Sequence, residues 1–214
     1  FCNALKREKI NVPWKCLGRV DRVDEAMLNA MKQSGCHTVF FGVESGNEEI
    51  LQSVGKGVTK DKIRQGVTAL KKADLDAGGY FVIGLPEENE QTVNESISFA
   101  TELELDWAIF YIATAFPGTG LYNFLPEKYK KQWSRLQRYY PNSNQTETYS
   151  KNTPVSLCEL SGTELVKLKE KAIQNFYFNP SYLRRVLSKP NSPTFAQKLS
   201  HVKRGATIFP EVET

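Results

Sequence analysis

Several short apolar runs in this chain end in residues able to bind or to react. Val39-Phe40-Phe41-Gly42-Val43 leads straight into Glu44-Ser45-Gly46, a carboxylate, a hydroxyl and a glycine. Trp14-Lys15-Cys16-Leu17-Gly18-Arg19-Val20 is a short strand candidate carrying Arg19 at its end, and Tyr80-Phe81-Val82-Ile83 leads to Gly84-Leu85-Pro86-Glu87. Trp107 to Ile112 leads to Thr114. In a parallel sheet the strand tips share one rim, where α/β folds bind their ligands. Arg19, Glu44, Ser45 and Glu87 are then expected to converge on one pocket. A guanidinium grips a carboxylate with two donors, and a carboxylate pairs an ammonium or sugar hydroxyls. Together they suit a zwitterionic ligand. Gly84 removes a side chain where a flat ring could lie against backbone groups. Plainer readings compete. Ser45 or Asn47 can be a helix cap, and Arg19 with Glu44 a rim ion pair. Glu87, beside Glu88 and Glu90, can be a solvated carboxylate at a helix start.

The intervening segments alternate in period. Asp24 is expected to cap a helix bearing Met27, Leu28 and Met31, closed by Gly35. A second strand runs from His37 to Val43, and Glu48 to Leu51 reads as a helical turn. Thr59 opens a helix with Ile63, Val67 and Leu70 on one face. Gly78-Gly79 precede a third strand, and Asn89 or Thr92 opens a helix carrying Val93, Ile97, Ala100 and Leu103. A fourth strand comes next, at 107–112. Continuous apolar strands need both faces covered, so the sheet is expected to be parallel. Four strands cannot close a barrel, and residues 1–10 read as the end of a helix following an earlier strand. The fold class implied is α/β: a partial TIM-like (β/α) barrel entered partway, followed by a small α-helical C-terminal region.

Three segments are expected. Residues 1–125 form the barrel portion, 126–155 a basic, proline-punctuated connection with a helix near 127–139, and 156–214 a helical extension. In the last, Ser161 and Glu164 form a capping box, and a second helix spans Ser181 to Leu187. The last 25 residues, with three prolines, are expected to be loosely held. Charge obeys the same division. Residues 1–125 hold 13 Lys/Arg against 17 Asp/Glu, and residues 126–214 hold 15 against 7, which marks a boundary near 125. The 40% hydrophobic and 24% charged content is that of a soluble globular protein. No apolar run is long enough to span a bilayer. The four cysteines at 2, 16, 36 and 158 form no metal knuckle or disulfide framework, so a reducing cytoplasm is the expected setting. The separated His37 and His201 offer no metal pair. Phe1 in place of Met points to processing or to a longer parent.

The stretch Gly35-Cys36-His37-Thr38-Val39-Phe40-Phe41-Gly42-Val43-Glu44-Ser45-Gly46, continuing to Ile50-Leu51 and Lys56-Gly57, resembles the middle of a radical S-adenosylmethionine (SAM) domain. So do Gly79-Tyr80-Phe81-Val82-Ile83-Gly84-Leu85-Pro86-Glu87-Glu88 and Pro117-Gly118-Thr119-Gly120-Leu121-Tyr122. Residues 155–188, above all Phe176 to Leu183, are similar to the tail after the barrel in the cobalamin-associated branch. The resemblance implies a partial (β/α)6 barrel with SAM across the strand tips, chelating a [4Fe-4S] cluster. Val82, Gly84 and Glu87 fall on the family's GxIxGxxE adenine motif, with Tyr80 in place of its first glycine. Glu44 and Ser45 fall where the family contacts the ribose or methionine of SAM, and Arg19 is a candidate for the methionyl carboxylate.

The chain departs from the family in a second and decisive respect. The family holds its cluster with CxxxCxxC after the first strand, and this chain has no such triplet. Without three thiolates there is no electron to cleave SAM. The expectation is therefore the C-terminal part of such an enzyme, with no metal ligands and no radical activity of its own. The intact parent would bring the missing barrel half, SAM and the cluster to an unidentified small molecule. Methyl transfer is implied where a cobalamin domain precedes the barrel. Two other classes fit the residues. One is a barrel hydrolase with Glu44 and Glu87 as its carboxylate pair. The other is a non-catalytic anion- or RNA-binding module built on basic residues 128–138 and 184–204, with Trp133, Tyr139 and Tyr140 interleaved. Those aromatics are expected to be core instead.

Overall fold

The computed structural model describes residues 1–131 and 155–207. Helix α1 (Cys2–Arg7) precedes strand β1 (Trp14–Gly18). Then come α2 (Glu25–Gln33), β2 (Cys36–Glu44), α3 (Glu48–Ser53), α4 (Lys60–Lys72), β3 (Asp76–Ile83), α5 (Glu90–Glu102) and β4 (Trp107–Ile112). A short α6 (Glu127–Lys130) is next, and after it α7 (Gly162–Tyr177), α8 (Pro180–Leu187) and α9 (Phe195–Thr207). Local chemistry starts most of the helices. Asp24, Asn47 and Thr59 each accept a hydrogen bond from a backbone N–H three residues on, satisfying a donor the helix leaves free. Asn89 with Thr92, and Ser161 with Glu164, form reciprocal boxes.

The four strands are parallel and lie in chain order, β1-β2-β3-β4. A doubly wound sheet would reverse that order at a switch point; consecutive order is that of a (β/α) barrel wall. Alternation divides the two faces. Val39, Phe41 and Val43 of β2, Ala77, Phe81 and Ile83 of β3, and Ala108, Phe110 and Ile112 of β4 are buried in one core. Leu28, Ile63, Leu70, Ile97, Leu165 and Phe176 of the helices complete it. On the opposite, inner face, Gly42, Tyr80, Val82, Ile109 and Tyr111 are only half-buried, and Leu17 is 73% exposed.

The elements differ from expectation at three places. β3 begins at Asp76, four residues before Tyr80, and takes in Gly78 and Gly79. A Cβ at Gly78 would collide with the Phe40 ring, and one at Gly79 would stand 2.7 Å from Leu105 Cδ1. The glycines thus belong to the strand as spacers under neighbouring side chains. β1 ends at Gly18, and Val20–Arg22 form a 3-10 turn where the strand was expected to continue. Within the C-terminal stretch, Phe195–Thr207 form a helix docked on the sheet. In α9 the Lys198 ammonium lies 2.9 Å from Asp76 and 2.8 Å from Asp106, beneath the amino ends of β3 and β4. Pro190 and Pro193 precede α9 and do not interrupt it.

Of the helix expected near 127–139, Glu127–Lys130 is seen. Trp133, Tyr139, Tyr140 and most of the connection lie outside the described residues. No helix among the described residues is long and apolar enough to cross a membrane.

Candidate functional site

The carboxyl ends of β1 to β3 carry the six predicted residues, in three different situations. Arg19 follows β1, and its guanidinium makes two 2.9 Å hydrogen bonds to Asp21, holding that carboxyl below its ordinary range. It does not pair with Glu44. Glu44 closes β2 with φ of +68°, and its Oε1 accepts from the Lys56 ammonium at 2.6 Å. Ser45 is fully buried. Its hydroxyl lies 3.1 Å from Ser96 Oγ on α5 and accepts from the Asn47 N–H at 3.1 Å. Ser96 also accepts from the Gly46 N–H, so this hydroxyl pair fixes the tip of β2 to α5.

Val82 lies on the inner face, in register with Tyr111. Gly84 follows β3 with φ of +86°, and a Cβ there would stand 2.9 Å from Leu165 Cδ1. Only glycine meets both demands without strain. Glu87 has φ of +68° and an exposed side chain. Its neighbour Glu88 is fully buried and accepts from the N–H groups of Gly84 at 2.7 Å and Leu85 at 2.9 Å. The carboxylate that organises the β3 turn is thus Glu88. Burial pushes its carboxyl up to about 7, against the pull of the two backbone donors. Its second oxygen, Oε1, is buried and has no partner among the described residues.

Sequence reasoning missed a second residue, Lys56. Its ammonium and Glu44 Oε1 occupy the notch above Gly42: a Cβ there would collide with Glu44 and stand 2.6 Å from the Lys56 nitrogen. Glu44 is held in a left-handed conformation, which costs a non-glycine residue about 1–3 kcal/mol. Lys56 stands between Gly55 at φ +64° and Gly57 at φ +65°. With 22% and 26% of the two side chains exposed, the pair itself is worth at most about 1 kcal/mol. Stability alone does not account for the backbone that holds it. The signal in the sequence is the pair of glycines around a lysine.

The cysteines form no such site. Cys36 is buried in the core between sheet and helices, and Cys16 packs against it from β1. Cys36 lowers the Cys16 thiol to about 7, while its own is pushed up. Among the described residues no three His, Cys, Asp or Glu side chains are placed to hold a metal ion. A cluster needing three thiolates does not fit the residues present.

A parallel β/α wall in chain order, with charged and polar groups on its carboxyl rim, is part of a (β/α) barrel. Residues 3–100, from α1 into α5, match the radical SAM superfamily, and all six predicted residues lie within that stretch. The chain is 34% identical over 179 residues to an uncharacterized methyltransferase of Pyrococcus horikoshii, covering 84% of this chain and 37% of that protein. It is 26% identical over 110 residues to the bacteriochlorophyllide d C-12(1)-methyltransferase of Chlorobaculum tepidum, covering 50% of this chain and 24% of that one. It thus spans well under half the length of these relatives. Among solved structures it is similar to coproporphyrinogen III oxidase of Escherichia coli, a radical SAM enzyme. The TM-score is 0.48 at 14% identity, over 54% of this chain and 28% of that one.

Proposed function

We propose that this chain supplies part of the SAM-binding edge of a radical SAM enzyme whose reaction is a methyl transfer. The observation that carries this reading is the coincidence of the family match with the strand tips: residues 3–100 hold the β2 and β3 rims bearing Glu44, Val82, Gly84 and Glu87. The names of the relatives favour methyl transfer.

Bound SAM supplies either its methyl group or, on reductive cleavage, a 5′-deoxyadenosyl radical. The residues here bind and orient it. Glu44 presents a carboxylate oxygen to ribose hydroxyls or to the methionyl ammonium. Val82 and the Gly84 turn, held by Glu88, offer an apolar edge and backbone groups to the adenine. Ser45 acts from behind by anchoring the β2 tip to Ser96. Arg19, paired with Asp21, reaches a methionyl carboxylate by exchanging that partner. The cluster would be held by polypeptide other than these residues. Cobalamin enters where a cobalamin domain accompanies the intact enzyme.

Isothermal titration of the chain with SAM tests the reading. Saturable binding, weakened at least tenfold by Glu44→Gln or Gly84→Val in variants with unchanged circular dichroism, is expected. Anaerobic incubation with iron, sulfide, dithionite and SAM is expected to give no 5′-deoxyadenosine from this chain alone. No saturable SAM binding at millimolar ligand would overturn the assignment.

A further inference from the structure

The Lys56–Glu44 pair stands at one end of an aromatic surface on the inner face of the sheet. Gly42 is in register with Tyr80, so the ammonium stands above the residue paired with Tyr80. Phe40 and Tyr80 stack with centroids 5.5 Å apart at 30°, and Tyr80 and Tyr111 lie 5.9 Å apart at 31°. Three rings on three adjacent strands thus present a nearly continuous face. Tyr80 and Tyr111 are only half-buried. Neither phenol hydroxyl has a hydrogen-bond partner among the described residues, and burial with the neighbouring Tyr111 holds the Tyr80 phenol above its ordinary value. It remains a neutral donor at physiological pH. Lys56 has Glu44 as its one partner among the described residues, leaving two of three ammonium N–H groups to give.

Two half-buried rings, two hydroxyls without a partner among the described residues and a lysine between two left-handed glycines share this inner face. Aromatic faces bind flat π-systems by offset stacking, and an ammonium at the end of such a face selects an anionic substituent. We propose that Tyr80, Tyr111 and Lys56 form the seat of a planar conjugated ligand bearing a carboxylate or phosphate, and that this ligand is the substrate. The proposal rests on the SAM-edge reading for the place of the rim. It assigns a second molecule to a seat that adjoins the SAM edge, since Val82 is in register with Tyr111 and Lys56 pairs with Glu44, while Tyr80 and Phe40 stand four residues before Gly84 and Glu44 on their strands.

The test is a fluorescence titration of the chain with 1-pyrenecarboxylate, with neutral 1-pyrenemethanol alongside and SAM binding measured separately by calorimetry. Saturable binding of the carboxylate is expected, at least tenfold weaker in Tyr80→Leu and Tyr111→Leu and within threefold of the parent in Tyr80→Phe, which keeps the ring. Lys56→Met is expected to remove the preference for the anion while leaving 1-pyrenemethanol unchanged, a split that general destabilisation would not produce. Saturating SAM is expected not to displace the probe. Failure of the carboxylate to saturate, indifference to both Tyr80→Leu and Lys56→Met, or displacement by SAM overturns the substrate seat. Loss of the SAM-edge reading shows separately, as absence of calorimetric SAM binding by the unsubstituted chain.

Discussion

The Lys198 ammonium lies 2.8 Å from an Asp106 carboxylate oxygen ninety-two residues earlier in the chain. The lysine is 4% exposed and also serves Asp76, while Asp106 accepts the Ala77 N–H. Burial and the neighbouring Asp76 raise the Asp106 carboxyl, and Lys198 opposes them. Replacing the lysine leaves two carboxylates close together without their cation. Lys198→Met is expected to cost about 3–5 kcal/mol, the range for breaking one side of a buried ion pair. Urea unfolding measures it; a loss below about 1 kcal/mol would show that water reaches the carboxylates.

Glu88 gives stability a pH dependence of defined sign. Its carboxyl titrates near 7 when folded against an ordinary 4.5, so between those values the folded chain holds more protons than the unfolded. Stability is therefore full below about pH 4.5 and falls as pH rises towards 7, by about 3 kcal/mol from this group. The difference in urea midpoint between the parent chain and Glu88→Gln should shift in favour of the variant from pH 5 to pH 8. A difference constant with pH would refute the assignment.

Gly66 lies inside α4, where alanine ordinarily stabilises by about 1 kcal/mol. Here a Cβ would collide with the carbonyl oxygen and Cγ2 of Val20. Gly66→Ala is expected to reverse the usual sign and destabilise by about 1–3 kcal/mol net. A raised melting temperature would contradict the close approach of helix and turn.

Ser96→Ala removes the acceptor of the Gly46 N–H and the partner of Ser45 Oγ. Two buried polar groups are left short of partners, at a cost of about 1–3 kcal/mol. Because the β2 tip is tied to α5 through them, SAM affinity should fall together with stability, although Ser96 faces no ligand. Unchanged affinity in a destabilised variant would separate the tip from its anchor.

What could be read from the sequence was local. Asp24, Thr59 and Ser161 announce their helices because a cap bonds within its own turn, and the apolar runs at 39–43 and 107–112 announce strands by composition. What could not be read depends on which way a side chain turns after folding. Glu87 and Glu88 are alike in type and adjacent, yet one is exposed and the other buried under the Gly84 turn. Arg19 and Glu44 looked like partners by position on the rim; Asp21 and Lys56 take them instead, each from its own side of the chain. The docking of α9 turns on Asp76 and Asp106 receiving Lys198 from far along the chain, which no local pattern encodes.

Because strand order matches chain order, β1 has a strand neighbour on one side only among the described residues. Its outer edge carries backbone donors and acceptors that no other strand in the sheet takes up, and its side chains are largely open. Such an edge is a template for one more strand. A protein built on this sheet has to extend it there, shield it, or associate through it.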